Sequence, residues 1–413
     1  MKLVSIIIAL LVTICASNSA ARDTISVQYV SEHTYEFSIH DGALSGPGAE
    51  FLKAEFALSQ FVLLGELHGD KGISEFTAAI IPELAAVGYS YLGLEVGPAS
   101  FESIRPLLVS GSVQNNLNQF YSDYYKELGD IPIPFIDSKE DVPFLEAALA
   151  DKFRILALDQ EFYSSTLLLL NRIVELQPAA ANTSQYKAAI SYVKEQHKKD
   201  DEDEDYELHE HLTNSAELAD FFATLDRSPQ IEEIITALQT SWDIYQLYST
   251  NIAANLDKRA NLMKRLFATQ YKEAAKEGSL PKMLIKMGGW HTMRGITYNA
   301  VYDIGNQVHE LASFNGTKDL NIAFMHRYVM DDEEPEGYYD NSVGDSGWLT
   351  EHRPLLEQGQ KDKWVAIDLR SMKEDIINRD IWAYPAIKNK MYDVDLILIP
   401  PMANEMTPNY DIK

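Results

Sequence analysis

Two segments far apart in the chain each end an apolar run in Gly-x-x-His. "FVLLGELHGD" at 61–70 places His68 three residues after Gly65 with Glu66 between them, and "MLIKMGGWHTMRG" at 283–295 places His291 three residues after Gly288. Other polar residues close apolar runs in the same way: Glu95 in "YSYLGLEV", Asp159 and Gln160 after "FRILALD", and Arg294 just beyond His291. A histidine held by a carboxylate can act as general base on water, while a second histidine or an arginine stabilises charge developing on a carbonyl or phosphoryl oxygen. Two carboxylates beside two imidazoles could equally hold zinc or manganese with a position left open for water. Spacing alone leaves both chemistries open.

Plainer roles exist for several of these residues. His68 can cap a helix, Asp159 can belong to an N-cap region, His291 and Arg294 can start a helix, and Trp290 reads as core packing. Glu66 and Glu95 are harder to place structurally, because a carboxylate in an apolar run needs a partner. Elsewhere the chain has no G-x-S-x-G elbow, H-E-x-x-H helix, Walker loop or G-x-G-x-x-G fingerprint, so serine hydrolase and nucleotide-binding readings lose most of their support.

The elements that must position these groups are strand-like runs near 61–65, 89–96, 153–159, 282–288, 321–328, 363–369 and 393–400, several of them apolar nearly throughout, as in a sheet covered on both faces. Helical patterns alternate with them, beginning with "ISEFTAAIIPELAAVG", and this predicts an α/β fold with a mostly parallel sheet flanked by helices. The first two strands and that helix form a βαβ unit with parallel strands. In an open sheet of this kind ligands sit outside the carboxyl ends of the strands, where the candidate residues fall. Residues 164–278 break the rhythm with a succession of helices, an inserted all-helical subdomain able to cover the site as a lid. The core domain is then 22–163 with 279–413, and 24–45 reads as a small β-hairpin decorating it.

Residues 1–21, with Lys2, an apolar run and small residues at Ser19 and Ala21, have the form of a secretory signal, which predicts an exported, periplasmic or secreted protein. The only cysteine, Cys15, lies in that segment, so the mature chain has no thiol nucleophile, disulfide or cysteine-bound metal. No later run is long enough to span a bilayer, which predicts no stable membrane insertion after cleavage. With 35 basic against 62 acidic residues the net charge is -27, which opposes nucleic acid and anionic lipid. Much of the acidity lies in "KKDDEDEDYELHEH" at 198–211, read as a solvated loop inside the helical insertion; His197, His209 and His211 there could hold a cation loosely.

The constellation resembles the erythromycin esterase-like and ChaN-like superfamily, to which Tiki-type metalloproteases and a Pasteurella-type toxin domain are also related. Gly65, Glu66, His68, Gly69 and Glu75 match its first signature, Glu95 the second-strand glutamate, Asp159 and Gln160 the third-strand ending, and His291 the late histidine. Arg259 and Met263 fit an Arg-x-x-x-Met helix motif, although Leu266 stands where the esterase continues to an Asn, and Trp290 and Thr292 flank His291 where the esterase has an Asn. The resemblance implies that Glu66, His68, Glu95 and His291 are catalytic, with Asp159, Gln160 and Arg259 contacting substrate, and Arg294, from its place after the fourth strand, is read as a further substrate contact. The departures bear on macrolide specificity more than on hydrolysis. The implied activity is attack of water on an ester, lactone or amide carbonyl of a small molecule or peptide. Tiki-like relatives imply a divalent metal, and ChaN-like relatives imply haem or ligand binding without catalysis.

Overall fold

The structure, a computed structural model, describes residues 25–379 and 381–411. The segment read as a secretory signal, 1–21, lies outside the described residues. Eleven strands appear among them: β1 Thr34–His40, β2 Ala43–Ser45, β3 Phe61–Glu66, β4 Tyr89–Leu94, β5 Arg154–Ala157, β6 Lys282–Gly288, β7 Asp319–Phe324, β8 Tyr328–Met330, β9 Tyr338–Asp340, β10 Trp364–Asp368 and β11 Leu396–Ile399. Nine of them form one sheet in the order β2-β1-β10-β11-β7-β3-β6-β4-β5, and β8 with β9 makes a separate ribbon. From β11 to β5 every pairing is parallel, whereas β10, β1 and β2 extend the sheet antiparallel. The mostly parallel α/β sheet expected from the sequence is therefore the fold.

Both faces of the central strands are buried, which accounts for their unbroken apolar character. Along β3, Val62 and Leu64 pack on one face beneath the helices Pro47–Leu58, Lys71–Ala86 and Val142–Ala150, and Phe61 and Leu63 pack on the other beneath Ile252–Ala275 and Ile304–Phe314. Alternate side chains of one strand point to opposite faces, so each face needs its own apolar set. Between β5 and β6 every element is a helix, and the helices from Thr166 to Thr250 share an apolar cluster of their own that includes Leu169, Leu170, Phe221 and Trp242.

Three sequence expectations change. The segment "TISVQYV" does not pair as a strand: Val27–Ser31 is a helix, with Ser26 Oγ accepting from Tyr29 N at 3.1 Å. The hairpin consists of β1 and β2 and is the edge of the main sheet rather than a decoration. The acidic run is not one loop either, since helix Ser184–Glu202 enters it and Leu208–Thr213 ends it. His197 and His209 are buried near Tyr163, and desolvation lowers them to about 4 and about 3. No group of three or more metal-ligating side chains forms there or elsewhere among the described residues.

Although β3 and β4 are parallel, they do not touch: β6 lies between them, paired to β3 with Glu66 opposite Gly288 and to β4 with Leu94 opposite Lys286. This order brings the two Gly-x-x-His segments side by side at the carboxyl ends of adjacent strands. No helix among the described residues is long and apolar enough to cross a membrane.

Candidate active site

Each site residue is held by the turn that ends its strand. After β3 the chain passes His68, turns through Gly69 at a φ of 84°, where a side chain would be strained, and enters helix Lys71–Ala86 with Asp70 as its N-cap. Glu95 follows β4 directly, ahead of Gly97 and a helix that begins with Pro98. After β6, a short helix Gly289–Thr292 carries His291, whose Nδ1 lies 2.7 Å from Asp303 Oδ2; Asp303 in turn caps helix Ile304–Phe314.

The glycines set how closely these turns approach. A Cβ at Gly65 would lie 2.5 Å from Thr292 Oγ1, and one at Gly288 would lie 2.7 Å from His68 Nε2 and 3.3 Å from Glu95 Oε2. Gly288→Ala is thus expected to push the His68 imidazole aside with little loss of stability, and in a reaction that uses His68 as its base to lower kcat about 100-fold, a displacement on the ångström scale being enough. A variant as active as the intact protein would show that His68 needs no fixed position.

Glu66, His68, Glu95 and His291 converge. His68 Nδ1 is 3.2 Å from Glu66 Oε1, while its Nε2 is 3.8 Å from Glu95 Oε2, too far for a hydrogen bond and so free to engage a small molecule. The His68 side chain is 39% exposed and opens onto a cleft of roughly 650 Å³. Phe135 stacks on its ring at 4.0 Å and 15°. Glu95 is buried and accepts from Gly288 N at 2.6 Å and Arg259 Nη2 at 2.8 Å, with His291 Nε2 at 3.4 Å. The other oxygen of Glu66 pairs with the buried ammonium of Lys286.

Burial alone would neutralise these groups, but their partners outweigh it. Desolvation opposes ionisation of Glu66, yet Lys286 and His68 hold its carboxyl below the usual range. Desolvation likewise disfavours the charged form of His291, but Glu95 and Asp303 raise it to about 10, so it is an imidazolium at neutral pH. Burial also works against protonation of His68, and Glu66 and Glu95 still hold it above its ordinary 6.5. Counting Glu66, Glu95, Asp159 and Asp303 against Lys286, Arg259 and protonated His291 leaves one negative charge, which protonating His68 cancels.

This balance fixes an expected pH profile. A reaction that needs neutral His68 and charged His291 gains rate as pH rises through the elevated His68 value and loses it as His291 deprotonates near pH 10. The rising limb of kcat/KM should lie above pH 6.5, and a midpoint well below that value would exclude His68 as the base.

Asp159, Gln160 and Arg259 line the same cleft, with Arg259 donating to Asp159 Oδ2 at 2.6 Å while it reaches Glu95. Arg294 is not brought there. The segment after His291 doubles back across the sheet, and the Arg294 guanidinium lies between Asp319, which begins β7, and Asp395, which precedes β11, donating to them at 2.7 Å and 2.8 Å. It ties together the opposite strand ends. Trp290, read as core packing, is 54% exposed on the cleft wall beside Tyr298. Sequence reasoning missed Lys286, Asp303 and Phe135. Only Lys286 had a signal, a charge inside an apolar strand on the parity that faces Glu66.

The donor set does not suit a divalent metal. Each oxygen of Glu66 and Glu95 already faces an N–H or cationic partner, and Lys286 and Arg259 would stand against any added cation.

With its parallel α/β sheet and a carboxylate–imidazole cluster at the carboxyl edge of that sheet, the protein resembles solved structures at the level of the fold. A Bacillus cereus protein superposes with a TM-score of 0.55 at 16% identity, covering 92% of this chain and 98% of its own. The erythromycin esterase EreC, solved as a mutant in its open conformation, superposes with a TM-score of 0.51 at 14% identity, covering 86% of this chain and 94% of its own. A succinoglycan biosynthesis protein gives 0.52 at 13% identity over 92% of this chain and 97% of its own. ChaN of Campylobacter jejuni, a haem binder, reaches only 0.30, too weak a likeness to bear on the haem alternative. No family model and no curated protein matches the chain. The chain has the erythromycin esterase fold.

Proposed function

We propose that this protein is an exported hydrolase that activates water for attack on an ester, lactone or amide carbonyl. The observation that carries the reading is the His68 imidazole, held at Nδ1 by Glu66 and free at Nε2, opening on the cleft that the His291 imidazolium also lines. In this reading His68 Nε2 takes a proton from water as the water oxygen bonds to the carbonyl carbon. Glu66 fixes the tautomer and supports the imidazolium that forms. His291, with Arg259 behind Glu95, faces the charge on the carbonyl oxygen. Collapse of the tetrahedral intermediate breaks the bond to the leaving group, which receives the proton from His68. The same fold carries an esterase, which supports the class of chemistry while leaving the substrate to experiment.

The test is turnover of a panel of aryl esters, lactones and peptide anilides by intact protein and by the His68→Ala and His291→Ala variants. Acid product formed by the intact chain and lost in both variants supports the reading. Equal turnover by intact protein and His68→Ala overturns it. A Soret band on adding haemin, with no turnover of any substrate, would replace it with ligand binding. Exhaustive chelation is expected to leave activity within about twofold, given a donor set already occupied by protein cations. Export rests on the amino-terminal leader, and mass spectrometry of the secreted or periplasmic protein should give a chain beginning at residue 22.

A further inference from the structure

Phe135 is one of four non-glycine residues with a positive φ among the described residues, and the one aromatic residue of the four, at 66°. The left-handed region crowds Cβ against the following carbonyl oxygen, and a bulky residue stays there only where its surroundings over-determine the conformation.

The surroundings of Phe135 do so on both sides. Ile133 and Ile136 are fully buried in the core, the Ile136 carbonyl accepts from Tyr121 Oη at 3.3 Å, and the Asp137 carbonyl accepts from Asn409 N at 2.8 Å. Asn409 belongs to a strap, residues 404–409, that pairs with two segments at once. Lys139 N donates to Thr407 O at 2.8 Å, beyond Phe135. In the turn that leaves His68, Lys71 N donates to Asn404 O at 2.9 Å, and Gly69 O accepts from Met406 N at 2.9 Å. One strap therefore clamps the loop of Phe135 to the turn after His68.

The ring placed in this way lies flat on the His68 imidazole, with centroids 4.0 Å apart and planes 15° apart. Glu66 meets the imidazole at Nδ1 alone, which fixes one contact but leaves the plane of the ring to be set by something else. A stacked aromatic face supplies that second constraint. With both in place, Nε2 is kept on the cleft.

We propose that Phe135 is a positioning residue of the site: the strap and the buried isoleucines hold its backbone in a strained conformation so that its ring fixes the plane of the His68 imidazole. The consequence for turnover rests on the hydrolase reading; the hold on the imidazole does not.

Four variants of the full chain test this, and because Phe135 is only half-buried they should fold. The direct readout is the pair of ring ¹⁵N signals of His68, recorded at a pH where the imidazole is neutral. Intact protein should show one tautomer, with the hydrogen on Nδ1 toward Glu66; Phe135→Leu, which keeps apolar bulk but removes the flat face, should show both tautomers, and Phe135→Tyr should restore the single one. On a substrate that the intact protein hydrolyses, Phe135→Leu should lower kcat about tenfold with KM within about twofold, and Phe135→Tyr should recover it. The strain is read by comparing Phe135→Gly with Phe135→Ala, both without a ring: the glycine variant should be the more stable, with an unfolding constant about fivefold lower or more. Equal unfolding constants for these two, or a His68 ring in Phe135→Leu indistinguishable from that of intact protein, overturns the proposal. An altered ring with unchanged kcat supports the hold on His68 and counts against the hydrolase reading instead. If the intact protein turns over no substrate of the panel, that reading falls by itself, while the ring signals still decide whether Phe135 positions His68.

Discussion

In the proposed hydrolase reading, His68→Ala is expected to lower kcat/KM on an ester or amide substrate about 1,000-fold, with KM changed by less than about twofold. The imidazole is the one group of the cluster with an unengaged nitrogen on the cleft, so its removal takes away the proton acceptor. A loss of that size corresponds to about 4 kcal/mol of transition-state stabilisation, within what general base catalysis supplies. Because the side chain is 39% exposed, the variant should fold normally, with unchanged circular dichroism and thermal midpoint. Glu66 would keep its Lys286 partner, so no buried charge is orphaned. A decrease below about tenfold would remove His68 from the reaction. A parallel rise in KM would make it a binding residue instead.

Lys286→Met should act on stability rather than on the reaction. Lys286 and Glu66 project from neighbouring strands onto the same buried face, each less than 5% exposed, and Lys286 also lies 5.2 Å from the centre of the Phe144 ring. Removing one partner of such a pair leaves the other charge buried and costs about 3–5 kcal/mol. The sign with pH follows from Glu66, whose folded pKa is depressed below its ordinary 4.5. The stability it contributes is fully present above 4.5 and is lost as pH falls through the lower folded value. Urea midpoints of intact protein and variant should therefore differ most near neutrality and approach each other in acid. Replacing both residues, as Lys286→Met with Glu66→Gln, should recover much of the loss at neutral pH, since no unpaired charge remains. A difference below about 1 kcal/mol at pH 7 would mean that the pair is solvated in the native protein.

How much of this was legible in the sequence depends on the range of the interaction concerned. The apolar runs announced β3 through β7, β10 and β11, because strands buried on both faces need apolar residues at every position and glycine where they turn sharply. The same runs marked Glu66, His68, Glu95, Asp159 and His291 by their place at strand ends. Spatial order was not legible: nothing local in "KMLIKMG" says that it inserts between two strands made more than 180 residues earlier. Arg294 was misplaced for the same reason, since its partners Asp319 and Asp395 come from later segments. The helix Val27–Ser31 was misread because its alternating pattern suits a strand, whereas the Ser26 cap settles the local choice. Phe135 could not have been found from spacing, since it is itself a loop residue, at a φ of 66°, and stacks on His68 only in the folded chain.

The late arrival of β6 also shapes how the molecule comes into being. Until residue 288 has been synthesised, β3 and β4 have no partner between them, Glu66 lacks its ammonium, and Glu95 lacks both Gly288 and His291. A nascent chain ending inside the helical insertion can form helices, but the middle of its sheet is missing, with open strand edges on either side of the gap. The middle of the sheet thus cannot close before residue 288 has emerged, and its contacts are distant in sequence, which slows folding. The cluster of Glu66, His68, Glu95 and His291 is correspondingly all or none: a chain that ends before β6 carries His68 without its surroundings, and the site is complete only after the step that closes the core.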